Sequence, residues 1–362
     1  MATIAAMFAT IAANFSPERQ TAARKDIDLH RIQQAAGIRS RRKKSLDMIK
    51  SAICDLLGIR YPLFQGGMAW IADARLAAAV SQAGGLGLIS SINTSIDAIR
   101  EQIRECRRLT DKPFGVNIML LAPNAPEVAQ LVIDEGVKVL TTGAGSPGQY
   151  MPKWLEAGIK VIPVVASVAQ ALKMQELGAA AVIAEGAESG GHIGDAHTMA
   201  LVPQIAQALD IPVLAAGGIY DGRGAAAAFM LGACGVQMGT RFLVADECKV
   251  PAIYKERIIK ASDVSTIVTG ESIGDACRSL KTPFSRKFSK MEHDPSVTPE
   301  QLRAFGTGAT RKAVFDGDLN GGSFLAGECA GLVTRCESAA DIVKDVMEGA
   351  EKLLKQASSF IE

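Results

Sequence analysis

The most constraining feature of this chain is a unit of apolar strand followed by helix that recurs eight times. The strand-like runs are Tyr61–Gln65, Gly85–Ile89, Phe114–Ile118, Val137–Thr142, Lys160–Val165, Ala180–Ala184, Pro212–Ala216 and Gly235–Met238. Most lack polar alternation, which suits parallel strands covered on both faces. Between them lie helix-like stretches at Ala72–Ala83, Ser95–Leu109, Ala125–Glu135, Gln149–Ala157, Val168–Leu177, Thr198–Leu209 and Asp221–Leu231. Several stop at a glycine placed for a left-handed C-terminal residue: Gly84, Gly136, Gly158, Gly178 and Gly232. Eight successive units predict an α/β protein built on a closed (β/α)8 TIM barrel; a doubly wound open sheet is the competing architecture.

A chain of 362 residues, 48% hydrophobic with 35 glycines, has room for such a barrel and a smaller domain. We expect an extra N-terminal tail at 1–47 without fixed structure, the barrel at 48–242, a substrate or lid domain at 243–325, and a C-terminal segment at 326–362 whose helix closes on the barrel. In the lid, helices are expected near Tyr254–Ala261, Pro299–Phe305 and Thr310–Phe315, a strand at Ser265–Thr269, and the closing helix at 338–356. A net charge of +1 gives no electrostatic case for nucleic acid. No apolar run approaches a membrane span. Seven cysteines without a Cys-x-x-Cys argue against disulfides and zinc, and for a cytoplasmic setting. In the tail, positive charge follows the apolar stretch rather than preceding it, unlike a secretory signal.

Barrel chemistry sits where strands end and loops begin. Strand one ends Gln65-Gly66-Gly67-Met68, where a ligand can lie on backbone and Met68 can cover an aromatic plane. Strand three ends at Asn117, whose amide can donate and accept. Strand six runs into Glu185 and then a glycine-rich turn, Gly190-Gly191-His192-Ile193-Gly194, that leaves little bulk around one imidazole. Gly217-Gly218 and Met238-Gly239-Thr240 follow strands seven and eight, where barrels often hold a phosphate. Arg241 could add charge there or pair with a carboxylate, and Asp221 is placed to cap the next helix. A phosphate at this point, with Gly66, Met68 and Asn117 across the rim, implies a long flat ligand such as flavin mononucleotide. A sugar phosphate or pyridoxal phosphate would use the same phosphate site, but no lysine stands at a strand end for a Schiff base.

In order and spacing, Gln-Gly-Gly-Met-Ala-Trp, Ala-Gly-Gly-Leu-Gly, Gly-Val-Asn-Ile-Met-Leu-Leu, Thr-Thr-Gly-Ala-Gly, Val-Ile-Pro-Val-Val, Ala-Glu-Gly-x-Glu-x-Gly-Gly-His-Ile-Gly and Gly-Gly-Ser-x-x-Ala-Gly resemble the flavin-dependent enoyl-[acyl-carrier-protein] reductase II family. That family lies in the superfamily of the nitronate monooxygenases (2-nitropropane dioxygenases). The resemblance covers roughly residues 53–350. It implies FMN held by Gly66, Gly67, Met68, Asn117, Glu185, Gly190, Gly191, Gly217, Gly218, Met238, Gly239 and Thr240, with His192 catalytic and no metal among these residues. It implies NAD(P)H as co-substrate, room for a monovalent cation that the sequence does not place, acyl carrier protein as partner, and a homodimer as a compatible assembly. One departure is Ala326-Gly327-Glu328, where the family reads Ala-Gly-Gln. The stretch 277–290 carries Arg278, Lys281, Arg286, Lys287 and Lys290 with no acid. It is either a solvated face or a docking surface for the acidic carrier protein. The implied reaction is reduction of a trans-2-enoyl thioester in fatty acid synthesis. Nitronate oxidation by O2, or flavin binding without turnover, are the alternatives.

Because the first strand signal comes only at Tyr61, a chain beginning at Met48 is expected to keep its fold, its yellow colour and its activity. Loss of cooperative unfolding in that chain, measured by circular dichroism, would show that residues 1–47 are needed.

Overall fold

In the computed structural model, residues 49–361 apart from Asn93 are described. The expected tail at 1–47 lies outside them. Strands β1 (Leu63–Gln65), β2 (Gly87–Ser90), β3 (Phe114–Met119), β4 (Val139–Gly143), β5 (Lys160–Val165) and β6 (Val182–Glu185) appear where the apolar runs placed them. A two-residue strand, β7 (Gly191–His192), follows, then β8 (Val213–Ala216) and β9 (Gly235–Met238). Eight of these nine form one parallel sheet in the order β1-β9-β8-β6-β5-β4-β3-β2. The ends of that sheet meet: Leu86 N–H donates to Leu63 O at 2.9 Å and Gln65 N–H to Leu86 O at 3.0 Å. The result is a (β/α)8 barrel.

A first helix, α1 (Ala52–Leu57), precedes the barrel, with Ser51 as its cap. Its Ile53 and Leu57 share one buried cluster with Phe64, Leu88, Ile162, Ile183 and Leu214 from the strands, so α1 plugs one end of the barrel interior. The outer helices are α2 (Ala74–Gln82), α3 (Ile96–Leu109), α4 (Ala125–Asp134), α5 (Met151–Glu156), α6 (Val168–Glu176), α7 (Thr198–Ala208) and α8 (Gly222–Met230). Asp73, Ser95, Ser167 and Asp221 accept hydrogen bonds from first-turn N–H groups, which is why four of them start where they do. The five expected stop glycines all have positive φ, between 60° and 101°.

The lid contains α9 (Ala252–Ile259), β10 (Thr266–Thr269), β11 (Cys277–Leu280), α10 (Pro283–Glu292), α11 (Pro299–Gly306) and α12 (Ala309–Arg311), then a π-turn at Lys312–Asp316. The sequence did not reveal β11 or α10. β11 lies in the basic stretch 277–290 and α10 begins in it, and the charge masks the apolar pattern of both. The structure also divides that stretch. Arg278 and Lys281 turn inward to protein partners, while Arg286, Lys287 and Lys290 are exposed on α10. Across position 243 the two parts of the chain are joined, because β7 pairs with β11 in the three-stranded sheet β10-β11-β7. No helix of the described residues is long and apolar enough to cross a membrane.

The last helix, α13 (Ala339–Gln356), packs against α8 so closely that a Cβ on Gly222 would lie 2.4 Å from Ala350 N. Arg241 anchors this corner. Its guanidinium is 2% exposed, bonds Glu337 at 3.0 Å and Asp345 at 2.8 Å, and lies over the Tyr220 ring. Arg241 therefore pairs with carboxylates and is not the phosphate ligand it could have been. Burial works to raise the Glu337 carboxyl, but Arg335 and Arg241 hold it below the ordinary range. Glu337→Ala would leave a buried guanidinium half-compensated and is expected to cost about 3 kcal/mol. Chemical denaturation should show it, with the exposed Arg335→Ala costing under about 1 kcal/mol.

Candidate active site

The β1 end is fixed by its own glutamine. Gln65 Oε1 accepts from Leu88 N–H at 3.2 Å, its amide nitrogen donates to Gly66 O, and Gly66 N–H donates to Met238 O at 2.9 Å. Gly67 passes directly over Asn117: a Cβ there would sit 2.3 Å from the Asn117 side chain, so only glycine fits. Asn117 is buried and donates Nδ2–H to Thr141 Oγ1 at 2.9 Å, which leaves its Oδ1 on the Gly67 side. Met68 stands across from Gly239, within 4 Å of where a Cβ on that glycine would reach.

Past β8 and β9 the backbone forms an open cradle. Gly217 and Gly218 have φ of 96° and 70°, and a Cβ on Gly217 would come 2.8 Å from Gly186 O. The N–H groups of Gly218 and Gly239 make no hydrogen bond to any other described residue. Thr240 Oγ1 accepts from Gly327 N–H at 2.9 Å. Unpaired N–H groups on a glycine turn suit an anion.

The third side of the site is the loop after β6. Burial pushes the Glu185 carboxyl up to about 7, against an opposing influence from the nearby Ser189 hydroxyl. That hydroxyl is itself buried and lies outside bonding geometry with any described residue. Glu188 accepts from the Thr198 N–H at 3.0 and 3.1 Å and from its hydroxyl at 2.9 Å, tying the loop to the start of α7. His192 then pairs with Cys277 and Gly191 with Arg278 across the β7–β11 ladder, and Ile193 N–H donates to Ala276 O at 3.0 Å. This places Asp275 Oδ1 2.9 Å from His192 Nε2. Arg278 is buried behind the ladder. It donates to Ala187 O at 3.0 Å and pairs with Glu328 at 3.0 Å. The carboxylate that departs from the family pattern is thus answered by an arginine from the lid.

All thirteen residues singled out in the sequence line a single cavity of about 1050 Å³. These are Gly66, Gly67, Met68, Asn117, Glu185, Gly190, Gly191, His192, Gly217, Gly218, Met238, Gly239 and Thr240. His197, the other histidine of this region, is an exposed residue before α7 and does not line it. Sequence reasoning missed Asp275 and placed Arg278 only in a basic run, as a solvated face or a docking surface. Nothing local marks either one, since β11 aligns them with His192 only after the lid has folded. No group of three or more His, Cys, Asp or Glu among the described residues is arranged to hold a metal ion.

Comparison with known proteins follows the same outline. The family model described as Nitronate monooxygenase matches residues 50–131 and 126–349. The structure of FabK from Thermotoga maritima is similar with a TM-score of 0.84 and 47% identity, over 86% of this chain and 100% of that one. The (3aS,4S,5R,7aS)-5-hydroxy-7a-methyl-1-oxo-octahydro-1H-indene-4-carboxyl-CoA dehydrogenase of Mycobacterium tuberculosis is 34% identical over 87% of this chain and 99% of its own length. A probable nitronate monooxygenase of Staphylococcus saprophyticus is 32% identical over 85% and 99%.

Glu185 gives the site a pH signature. Its folded pKa of about 7 lies above that of the unfolded chain, so the folded state holds a proton the unfolded state has lost. The stability this contributes is full below about pH 4.5 and is lost as pH rises through 7. Glu185→Gln should remove the effect. In thermal melts from pH 5 to 8.5, the wild type is expected to lose up to about 3 kcal/mol relative to that variant. Parallel curves would show that the carboxyl titrates normally.

Proposed function

The chain belongs to the nitronate monooxygenase family, and from that premise we propose that it is an FMN-dependent oxidoreductase that reduces the double bond of a trans-2-enoyl thioester with NAD(P)H. The observation that carries this reading is the 47% identity to FabK, an enoyl-acyl-carrier-protein reductase II, against 34–40% for the carboxyl-CoA dehydrogenases and 32% for the staphylococcal nitronate monooxygenase. The dehydrogenase supports it from another side, since its name specifies a CoA thioester.

The residues present fit FMN. The Gly217-Gly218 turn and Gly239 offer unpaired N–H groups for the phosphate, Asn117 an amide for the ring edge, and Met68 an apolar contact for its face. At about 1050 Å³ the cavity is at the upper end of ligand sites, which leaves space for a second molecule beside the cofactor. When bound, FMN would supply hydride transfer between NAD(P)H and the β-carbon of the enoyl thioester.

The protein's own part is the proton. With Nε2 directed at Asp275, Nδ1 is the ring atom left for the substrate. A proton leaving Nδ1 for the α-carbon makes the imidazole neutral, and solvent restores it, because the His192 side chain is 58% exposed. Asp275 fixes the ring's orientation, as a carboxylate does beside other catalytic histidines. In this reading the thioester carrier is acyl carrier protein, and the exposed Arg286, Lys287 and Lys290 on α10 are the cations available to meet it.

A nitronate monooxygenase would use the same cavity and histidine, with O2 in place of the enoyl thioester, and the family model and the staphylococcal relative favour that second reading. Anaerobic mixing with NADH, followed by crotonyl thioester or by O2 and a nitronate, separates the two. We expect rapid bleaching by NADH and fast recovery of colour with the thioester. His192→Ala should keep the flavin and the bleaching step but lose enoyl reduction by roughly 10²–10⁴-fold. His197→Ala should change little, and Asp275→Asn should lose less than His192→Ala. Near wild-type reduction by His192→Ala would remove the histidine from the mechanism.

A further inference from the structure

The mouth of the cavity carries a cluster of features that the reaction as described does not use. Trp70 lines the cavity with φ at 59°, a left-handed conformation rarely adopted by a bulky side chain. Its ring meets Phe315 edge-on, with centroids 6.3 Å apart. Phe315 is 53% exposed and sits on the π-turn at Lys312–Asp316, a rare backbone form that is frequent at functional sites. Ala309 and Thr310, just before this turn, line the cavity as well. The Arg311 guanidinium lies 5.0 Å from the Phe315 ring centroid. Arg311 and Lys312 are both exposed and neither forms an ion pair with a described residue, although the Asp318 carboxylate lies beside the Lys312 stem near Gly321.

We propose that this lip binds the phosphopantetheine arm of the thioester substrate, with Arg311 and Lys312 on its phosphate and Trp70 and Phe315 flanking the neutral chain. The inference rests on the thioester reading of the site. An acyl group at the rim must be reached from outside by a long, mostly neutral arm that ends in a phosphate. Two cations without an ion pair beside two aromatic rings, one of which, Trp70, lines the cavity while the residues just before the cations, Ala309 and Thr310, line it too, match that alternation of chemistry. A planar guanidinium held over an aromatic ring stays pointed outward and is ready for two-pronged contact with phosphate oxygens. The same arm occurs in coenzyme A and on acyl carrier protein, and the lip would serve both. A nitronate, small and without a phosphate, would have no use for it.

The test is calorimetric titration of the flavin-loaded protein with butyryl-pantetheine, butyryl-phosphopantetheine, butyryl-CoA and butyryl-acyl carrier protein. The wild type is expected to bind the phosphorylated arm about tenfold more tightly than the unphosphorylated one. In Arg311→Ala/Lys312→Ala that preference should vanish, while binding of butyryl-pantetheine is unchanged. Both positions are exposed, so folding is not at issue. A further gain with the CoA thioester or with the carrier-protein thioester, beyond the phosphopantetheine value, identifies the carrier. Equal affinity for the two arms in the wild type, or a tenfold preference that survives in the double variant, overturns the proposal. Turnover of crotonyl thioesters is measured separately: intact arm recognition without enoyl reduction would sink the functional reading, and reduction without phosphate preference would sink only the lip.

Discussion

Everything at this site depends on the closure of the parallel sheet. Leu86 joins Leu63 and Gln65 by two backbone hydrogen bonds, and with them the eight strands lose their free edges. Parallel strands all end on the same side, so closure delivers Gly66, Asn117, Glu185, Gly217 and Gly239 to one rim although 173 positions separate the first from the last. The apolar interior holds that rim rigidly: Phe64, Leu88, Ile162, Ile183 and Leu214 are fully buried and Ile53 of α1 closes the far end. Groups as small as a glycine N–H can serve as recognition elements only on a frame this stiff.

The second dependency is between barrel and lid. The histidine loop is not a free turn; it is the third strand of the lid sheet, through His192–Cys277 and Gly191–Arg278 pairing. Gly190 lies so near the 326–327 backbone that a Cβ would come within 2.6 Å of it, and Glu328 N–H donates to Glu188 O. The orientation of the imidazole is therefore set by three segments far apart in the chain. Arg278 bridges them electrically, since it reaches the barrel at Ala187 and the C-terminal loop at Glu328. Glu328, the carboxylate that departs from the family pattern, thus has a cation within the protein 3.0 Å away.

Much of this was legible in the residues. The eight strands, seven helices and five stop glycines were readable because apolar runs, capping side chains and glycine each act over a few residues. The residues lining the cavity were readable for a related reason: in a barrel, position along the strand already fixes height on the rim. Strand β11 and α10 were not readable: Arg278, which the fold buries, breaks the apolar pattern of β11, and in α10 the exposed Arg286, Lys287 and Lys290 obscure the two buried phenylalanines, Phe284 and Phe288, that mark its inner face. Arg278 is the clearest example. As a letter in a basic run it reads as solvated; in the fold it is buried against Ala187 O, Thr266 and Glu328.

The sequence by itself determined the barrel, the glycine turns that keep its rim open, and the imidazole set among them, since these follow from local sterics and a repeating hydrophobic period. Tertiary structure alone decided what stands beside that imidazole. Asp275, 83 positions from His192 in the chain, comes within 2.9 Å of it only through the β7–β11 ladder, and Arg241 turned to Glu337 and Asp345 rather than to the rim. Pairing across such distances is chosen by packing and by the cost of burying an unpaired charge, and neither is written in any short stretch of the chain.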